Sequence, residues 1–166
     1  MKTLFIVRHG KSSWDSPDLP DKKRLLLNKG INRTRKIGKY LADNDIKVDL
    51  IISSPAVRAY ETAKIIASEI HYPTEKIEII DSIYGSDEET ILEIIENIPN
   101  DINSVMIFGH NPTFTHFSNY FLKEKLDWLP TSGMVSISFK TDNWNKIAKA
   151  KRKINFVLTP KSINKY

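Results

Sequence analysis

Cysteine is absent from all 166 residues. Disulfides, thiolate nucleophiles and cysteine-ligated metals are thereby excluded. Long apolar runs are missing too. The stretch Leu4, Phe5, Ile6, Val7 ends at Arg8, too short for a signal-peptide core or a membrane span. No internal repeat, low-complexity tract or dividing linker breaks the chain. The composition is that of an ordinary folded protein, 40% apolar and 27% charged, which excludes disorder and fibre repeats. A chain of this length buries roughly two-thirds of its unfolded surface, enough for one core without covalent staples. The expectation is one cytoplasmic domain spanning residues 1–166.

The formal charge of +5 is unevenly spread. Residues 140–166 hold eight Lys or Arg and one acid, Asp142, leaving a net −2 on the rest. The cluster Lys149, Lys151, Arg152, Lys153 has two readings: an acidic or nucleic-acid partner, or a solvated strand edge protected by lysines. No aromatic-and-basic nucleic-acid motif accompanies it, so the solvated edge is favoured and no nucleic-acid or membrane partner is expected.

Continuous apolar character with β-branched residues predicts strands over residues 2–7, 48–52, 76–80 and 105–108. Two more are expected over 134–139 and 154–158, joined through Trp144 and paired antiparallel. Residues 12–28 are polar, hold Pro17 and Pro20, and read as a long loop. Helices are expected from Asn28 as N-cap, after Ser54 and Pro55, after a Ser86–Glu89 capping box, and after Pro112. Strands alternating with helices give an α/β class: a single three-layer domain with a mainly parallel central sheet and helices on both faces.

Three unusual clusters fall at the carboxyl ends of predicted strands: Arg8-His9-Gly10, Ser53-Ser54-Pro55 with Arg58, and Gly109-His110-Asn111. Ligands of open α/β sheets bind at these ends. Two arginines and two histidines there suit a phosphate, because guanidinium forks match phosphate oxygens. Each cluster alone has an ordinary structural reading; Arg58, for instance, could pair with Glu61 one turn on. Their coincidence at equivalent strand ends favours a site. His71 and His116 lie in no comparable turn and read as structural.

The motifs VRHGKSSW, SSPAVRAYETA (53–63) and FGHNP (108–112), in that order and spacing, resemble the histidine phosphatase superfamily with its phosphoglycerate-mutase-like fold. Asp21-Lys22-Lys23-Arg24, IYGSDEE (83–89) and LPTSGMVSISF (129–139) make the chain similar to the short phosphohistidine phosphatase SixA-type branch. The resemblance implies a metal-independent phosphatase without cofactor. His9 would be the nucleophile that becomes phosphorylated, with Arg8, Arg58 and His110 holding the phosphoryl oxygens. Lys11 and Ser12 are further candidates for phosphate or substrate binding.

The general acid found in mutases of this superfamily has no obvious counterpart. Tyr84-Gly85-Ser86 fills one usual position and Asn111-Pro112 the other, which leaves Asp15 and Asp21 as candidates. A missing acid favours N–P substrates, since an imidazole leaves phosphorus neutral whereas an alkoxide needs a proton. The expected partner is therefore a phosphorylated histidine-containing protein or a small phosphorylated substrate. Two alternatives stay open: a small-molecule phosphomonoesterase on the same scaffold, and a non-catalytic phosphate-binding module. A shallow pocket would suit a protein substrate and a deep one a metabolite.

Overall fold

Seven residues, Lys2–Arg8, make the first strand, β1, and four of them in a row are buried apolar side chains. Such a run fits a strand covered on both faces. The alternation of the pleat then sends Leu4 and Ile6 into one core and Phe5 and Val7 into the other. The computed structural model describes residues 1–14 and 18–163. Along these, β1 is followed by α1 (Asn28–Asp43), β2 (Leu50–Ser53), α2 (Val57–Glu69) and β3 (Glu78–Ile79). Next come α3 (Glu88–Glu96), β4 (Ser104–Gly109), α4 (Thr113–Phe121), β5 (Met134–Phe139), β6 (Arg152–Leu158) and α5 (Pro160–Ile163).

The strands form one sheet in the order β3-β2-β4-β1-β5-β6. The first four run parallel, while β5 pairs antiparallel with both β1 and β6. Ile37 and Leu41 of α1 pack with Ala63, Ile66 and Ala67 of α2 on one face. Ile91 and Ile95 of α3 pack with Phe114, Phe117 and Phe121 of α4 on the other. This is the three-layer α/β architecture expected from the alternation of elements.

Four local expectations are corrected. β3 shrinks to two exposed residues, because this edge strand has only β2 to pair with. Asn28 does not cap α1; it is the first helical residue, and Leu27 precedes it without a side-chain cap. Ser54 lies two residues before the N-cap of α2, Ala56, although its Oγ accepts the Ala56 N–H at 3.2 Å. The cap of α3 is Asp87, whose carboxylate accepts the Thr90 N–H at 2.8 Å; Ser86 instead closes a turn through its N–H to Ile83.

Lys2 is fully buried. Its ammonium donates to the carbonyls of Asn100 (2.6 Å) and Ile102 (2.9 Å) and to Asn103 Oδ1 (2.9 Å), and it lies over the Trp144 ring. Three acceptors and an aromatic face replace the water it gives up.

Candidate active site

The register of the parallel strands builds the site. Arg8 pairs with Gly109 and Ser53 with Phe108, so the chain leaves β1, β2 and β4 at one edge. Just beyond that edge, the His9 N–H donates to the Gly109 carbonyl (3.1 Å) and the Ser54 N–H to the Phe108 carbonyl (3.0 Å). The first turn of α2 is tied to the same place: the Gly10 N–H donates to Thr62 Oγ1, which donates in turn to the Arg58 carbonyl. α1 comes equally close, since a Cβ on Gly30 would overlap the backbone of Lys11.

Arg8, His9, Arg58 and His110 meet at one pocket of about 480 Å³. Lys11, Ser12, Trp14, Arg24, Arg33, Asn111, Trp128 and Thr131 complete its lining. The imidazoles of His9 and His110 lie 5.2 Å apart, centroid to centroid. His9 Nδ1 lies 2.7 Å from the Gly10 carbonyl oxygen. A carbonyl only accepts, so the proton sits on Nδ1 and Nε2 keeps its lone pair. Burial first, and then the nearby cationic groups, lower the His9 pKa to about 3 against the opposing pull of the Gly10 carbonyl. The ring is therefore neutral at neutral pH, as a nucleophile must be.

His110 Nε2 lies 2.7 Å from Ser54 Oγ. That oxygen accepts the Ala56 N–H and still has its own proton to donate to Nε2; in that tautomer the His110 hydrogen is on Nδ1. Burial and Arg58 lower the His110 pKa to about 4. Three buried polar atoms of this cluster have no hydrogen-bond partner among the described residues: Arg8 Nε, Arg58 Nε and His110 Nδ1. Buried donors are ordinarily paired. Three unpaired ones beside a free imidazole nitrogen fit a ligand rich in acceptor oxygens.

Other nitrogens of the two guanidinium groups are engaged by protein. Arg8 donates to the Leu129 carbonyl (3.1 Å) and lies over the Trp128 ring. Arg58, 5% exposed, donates to the Asp21 carbonyl (2.7 Å) and to Asp21 Oδ2 (3.0 Å). It does not pair with Glu61, which binds Lys64. The Asp21 carboxylate also accepts from Arg24 Nε and, by a short bond, from the Tyr84 hydroxyl. The Tyr84 bond and Arg58 hold its pKa near 2. Asp21, a candidate proton donor in the sequence, is thus an ionised partner of Arg58. Asp15, the other candidate, lies outside the described residues. Lys11 and Ser12 line the pocket.

Arg24, Trp14, Trp128 and Arg33 are pocket residues that the sequence does not single out, while Asn111 belongs to the Gly109-His110-Asn111 cluster. Arg24 had a signal in the Asp21-Lys22-Lys23-Arg24 run. It stacks on Trp14 at 3.6 Å. Asn111 is committed to structure, accepting from Thr115 and donating to Leu129. His116 lies outside the pocket and pairs with Glu88; His71 is exposed on a positive-φ turn.

A family model, the histidine phosphatase superfamily (branch 1), matches residues 4–127. The chain belongs to this superfamily. Among solved structures, a histidine phosphatase family member from Agrobacterium tumefaciens assigned as the phosphohistidine phosphatase SixA superposes with a TM-score of 0.82 at 27% identity, covering 96% of this chain and 98% of that one. The protein histidine phosphatase SixA complexed with tungstate superposes with a TM-score of 0.81 at 19% identity over 97% and 99% of the two chains, a likeness of fold. In sequence, an uncharacterised chloroplastic protein of Arabidopsis thaliana is 30% identical over 118 residues, which are 66% of this chain and 54% of the relative. A 2,3-bisphosphoglycerate-dependent phosphoglycerate mutase of Rhizobium rhizogenes is 39% identical over 77 residues, 43% of this chain and 35% of the mutase. The chain thus spans about a third to a half of the length of these two curated relatives.

Proposed function

We propose that this histidine phosphatase hydrolyses phosphohistidine carried on a protein, through a phosphoryl group held transiently on His9. The observation that carries the reading is the set of unpaired buried donors, Arg8 Nε, Arg58 Nε and His110 Nδ1, grouped with the lone-pair nitrogen of His9. His9 Nε2 attacks phosphorus in line with the leaving imidazole. The new N–P bond forms as the old one breaks, and the departing nitrogen keeps the bonding pair. An imidazole protonated on its other nitrogen leaves neutral, so no acid is required at that step. Arg8, Arg58 and His110 compensate the charge on the equatorial oxygens, which is positioning and electrostatics rather than covalent chemistry. Water then attacks phosphorus, its proton ends on phosphate, and His9 recovers its lone pair.

Asp21 serves in this scheme as the residue that orients Arg58. Its ionisation leaves it without a proton to give, which supports N–P over alkyl phosphate substrates. The exposed Trp14 and Trp128 at the pocket mouth suit a protein substrate. The test is an alkaline quench, which preserves phosphohistidine, during turnover of a histidine-phosphorylated peptide. Label on His9 is expected. A folded enzyme that turns over the peptide without labelled His9 would defeat the mechanism. Far faster hydrolysis of alkyl phosphates than of phosphohistidine would defeat the substrate assignment in favour of a small-molecule phosphomonoesterase.

A further inference from the structure

α1 carries five basic residues, Lys29, Arg33, Arg35, Lys36 and Lys39, against one acid, Asp43. Lys29, Arg33 and Lys36 follow at spacings of four and three, hence on one side of the helix, where like charges repel. Among the described residues no acid forms an ion pair with any of them, nor with Lys161 of α5. Arg33, Lys36 and Lys161 line a hollow of about 500 Å³ that adjoins the catalytic pocket, the two sharing Arg33 and Thr131 as walls. Among the described residues no acidic side chain lines either hollow. Five cationic side chains line the catalytic pocket, and two of them, Arg24 and Arg58, share the single carboxylate of Asp21. A phosphoryl group brings about two negative charges, which leaves the α1–α5 groove unmatched. Such a surplus raises the potential over the surface and complements an extended anionic partner.

We infer that the Arg33–Lys36–Lys161 groove docks an acidic surface of the protein whose phosphorylated residue enters the pocket. The inference rests on the substrate reading above and adds the partner's charge and the place where it lands. The mouth of the same pocket presents Trp14 and Trp128, 78% and 52% exposed. Tryptophan and arginine are the side chains that dominate protein–protein contacts. A metabolite would not need this apolar rim.

The test uses two twelve-residue peptides phosphorylated on a central histidine by phosphoramidate, one flanked by Asp and Glu, the other by Lys. The full-length enzyme should show a kcat/KM about tenfold higher on the acidic peptide at 50 mM NaCl, an advantage that fades at 0.5 M as screening sets in. In the Lys36→Glu/Lys161→Glu variant the preference should vanish or reverse, with hydrolysis of phosphoramidate itself unchanged. Equal rates on the two peptides, or a preference that survives the double substitution, would overturn the inference. So would a double variant that loses phosphoramidate turnover equally. Fluorescent versions of the peptides titrated into His9→Ala decide the matter independently of catalysis. If the enzyme cleaves neither N–P substrate, the substrate reading fails, yet salt-sensitive binding of the acidic peptide, lost in the double variant, still supports the groove. A single-stranded oligonucleotide of equal charge that binds more tightly than the acidic peptide would replace the protein partner and overturn it.

Discussion

His9 is held in a single tautomer by one carbonyl and kept neutral by burial beside two guanidinium groups, so in the proposed mechanism it needs no catalytic base to free its lone pair. The consequence is a pH signature. His9 and His110 have folded pKa values lowered to about 3 and about 4, so between there and the unfolded value near 6.5 the unfolded chain binds protons that the folded chain refuses. Stability is insensitive to these groups above that value and falls as pH drops below it, by about 2 kcal/mol per histidine between pH 7 and pH 5. Denaturant midpoints at the two pH values should show the fall, and His9→Asn should remove roughly half of it; an equal fall in the variant would mean His9 titrates normally. His9→Ala should stay folded, by circular dichroism, and have no turnover. Asp21→Asn separates orientation from proton donation. The enzyme should keep more than about a tenth of its kcat on phosphohistidine peptide, with a raised KM, whereas a general acid would lose a hundredfold or more.

Single elements carry their own risks. α1 meets the loop after β1 with nothing but hydrogen at Gly30. Gly30→Ala should displace the helix from Lys11 at a cost of about 1–3 kcal/mol, visible as a lowered melting temperature together with weaker phosphate binding. At the other end of β1, Lys2→Met keeps the aliphatic stem but removes the partner of three part-buried carbonyl-type acceptors. A loss of roughly 3 kcal/mol in chemical denaturation is expected; an unchanged midpoint would show that water reaches the site. The elements most legible in the sequence were β1, β4 and β5, whose apolar runs are buried on both faces. β3 was overread because an apolar run at a sheet edge looks like a run in the middle, and the α3 cap was misplaced by one residue because Ser86 and Asp87 both suit it. The described part of the loop at 12–28 carries local structure that its polarity does not announce, a bridge between Ser12 and Leu26 and a short helical turn, Asp21–Lys23.

Across the whole molecule, the convergence of Arg8, His9, Arg58 and His110 was legible because strand ends in a parallel sheet share one edge. The grip of Asp21 on Arg58 was not, since the two lie 37 residues apart and nothing in either local sequence signals the other. Nor was the unmatched charge of α1, which the count along the chain masks by averaging it with the acidic residues of α2 and α3. Because cationic groups are concentrated around one pocket, inorganic phosphate should stabilise the fold by about 2.7 kcal/mol at a hundred times its dissociation constant. Thermal melts with and without phosphate test this, and Arg58→Ala should abolish the increment.

β1 runs from the rear of the sheet to the catalytic edge, roughly 20 Å in seven residues. Whatever is joined ahead of Met1, whether a dye, a bead or a surface linker, therefore emerges on the side away from His9. The Met1 ammonium makes there a bond to Asp142, exposed and of small worth. Immobilisation through that end would leave the mouth of the pocket turned toward solution, ready for capture measurements with bulky partners.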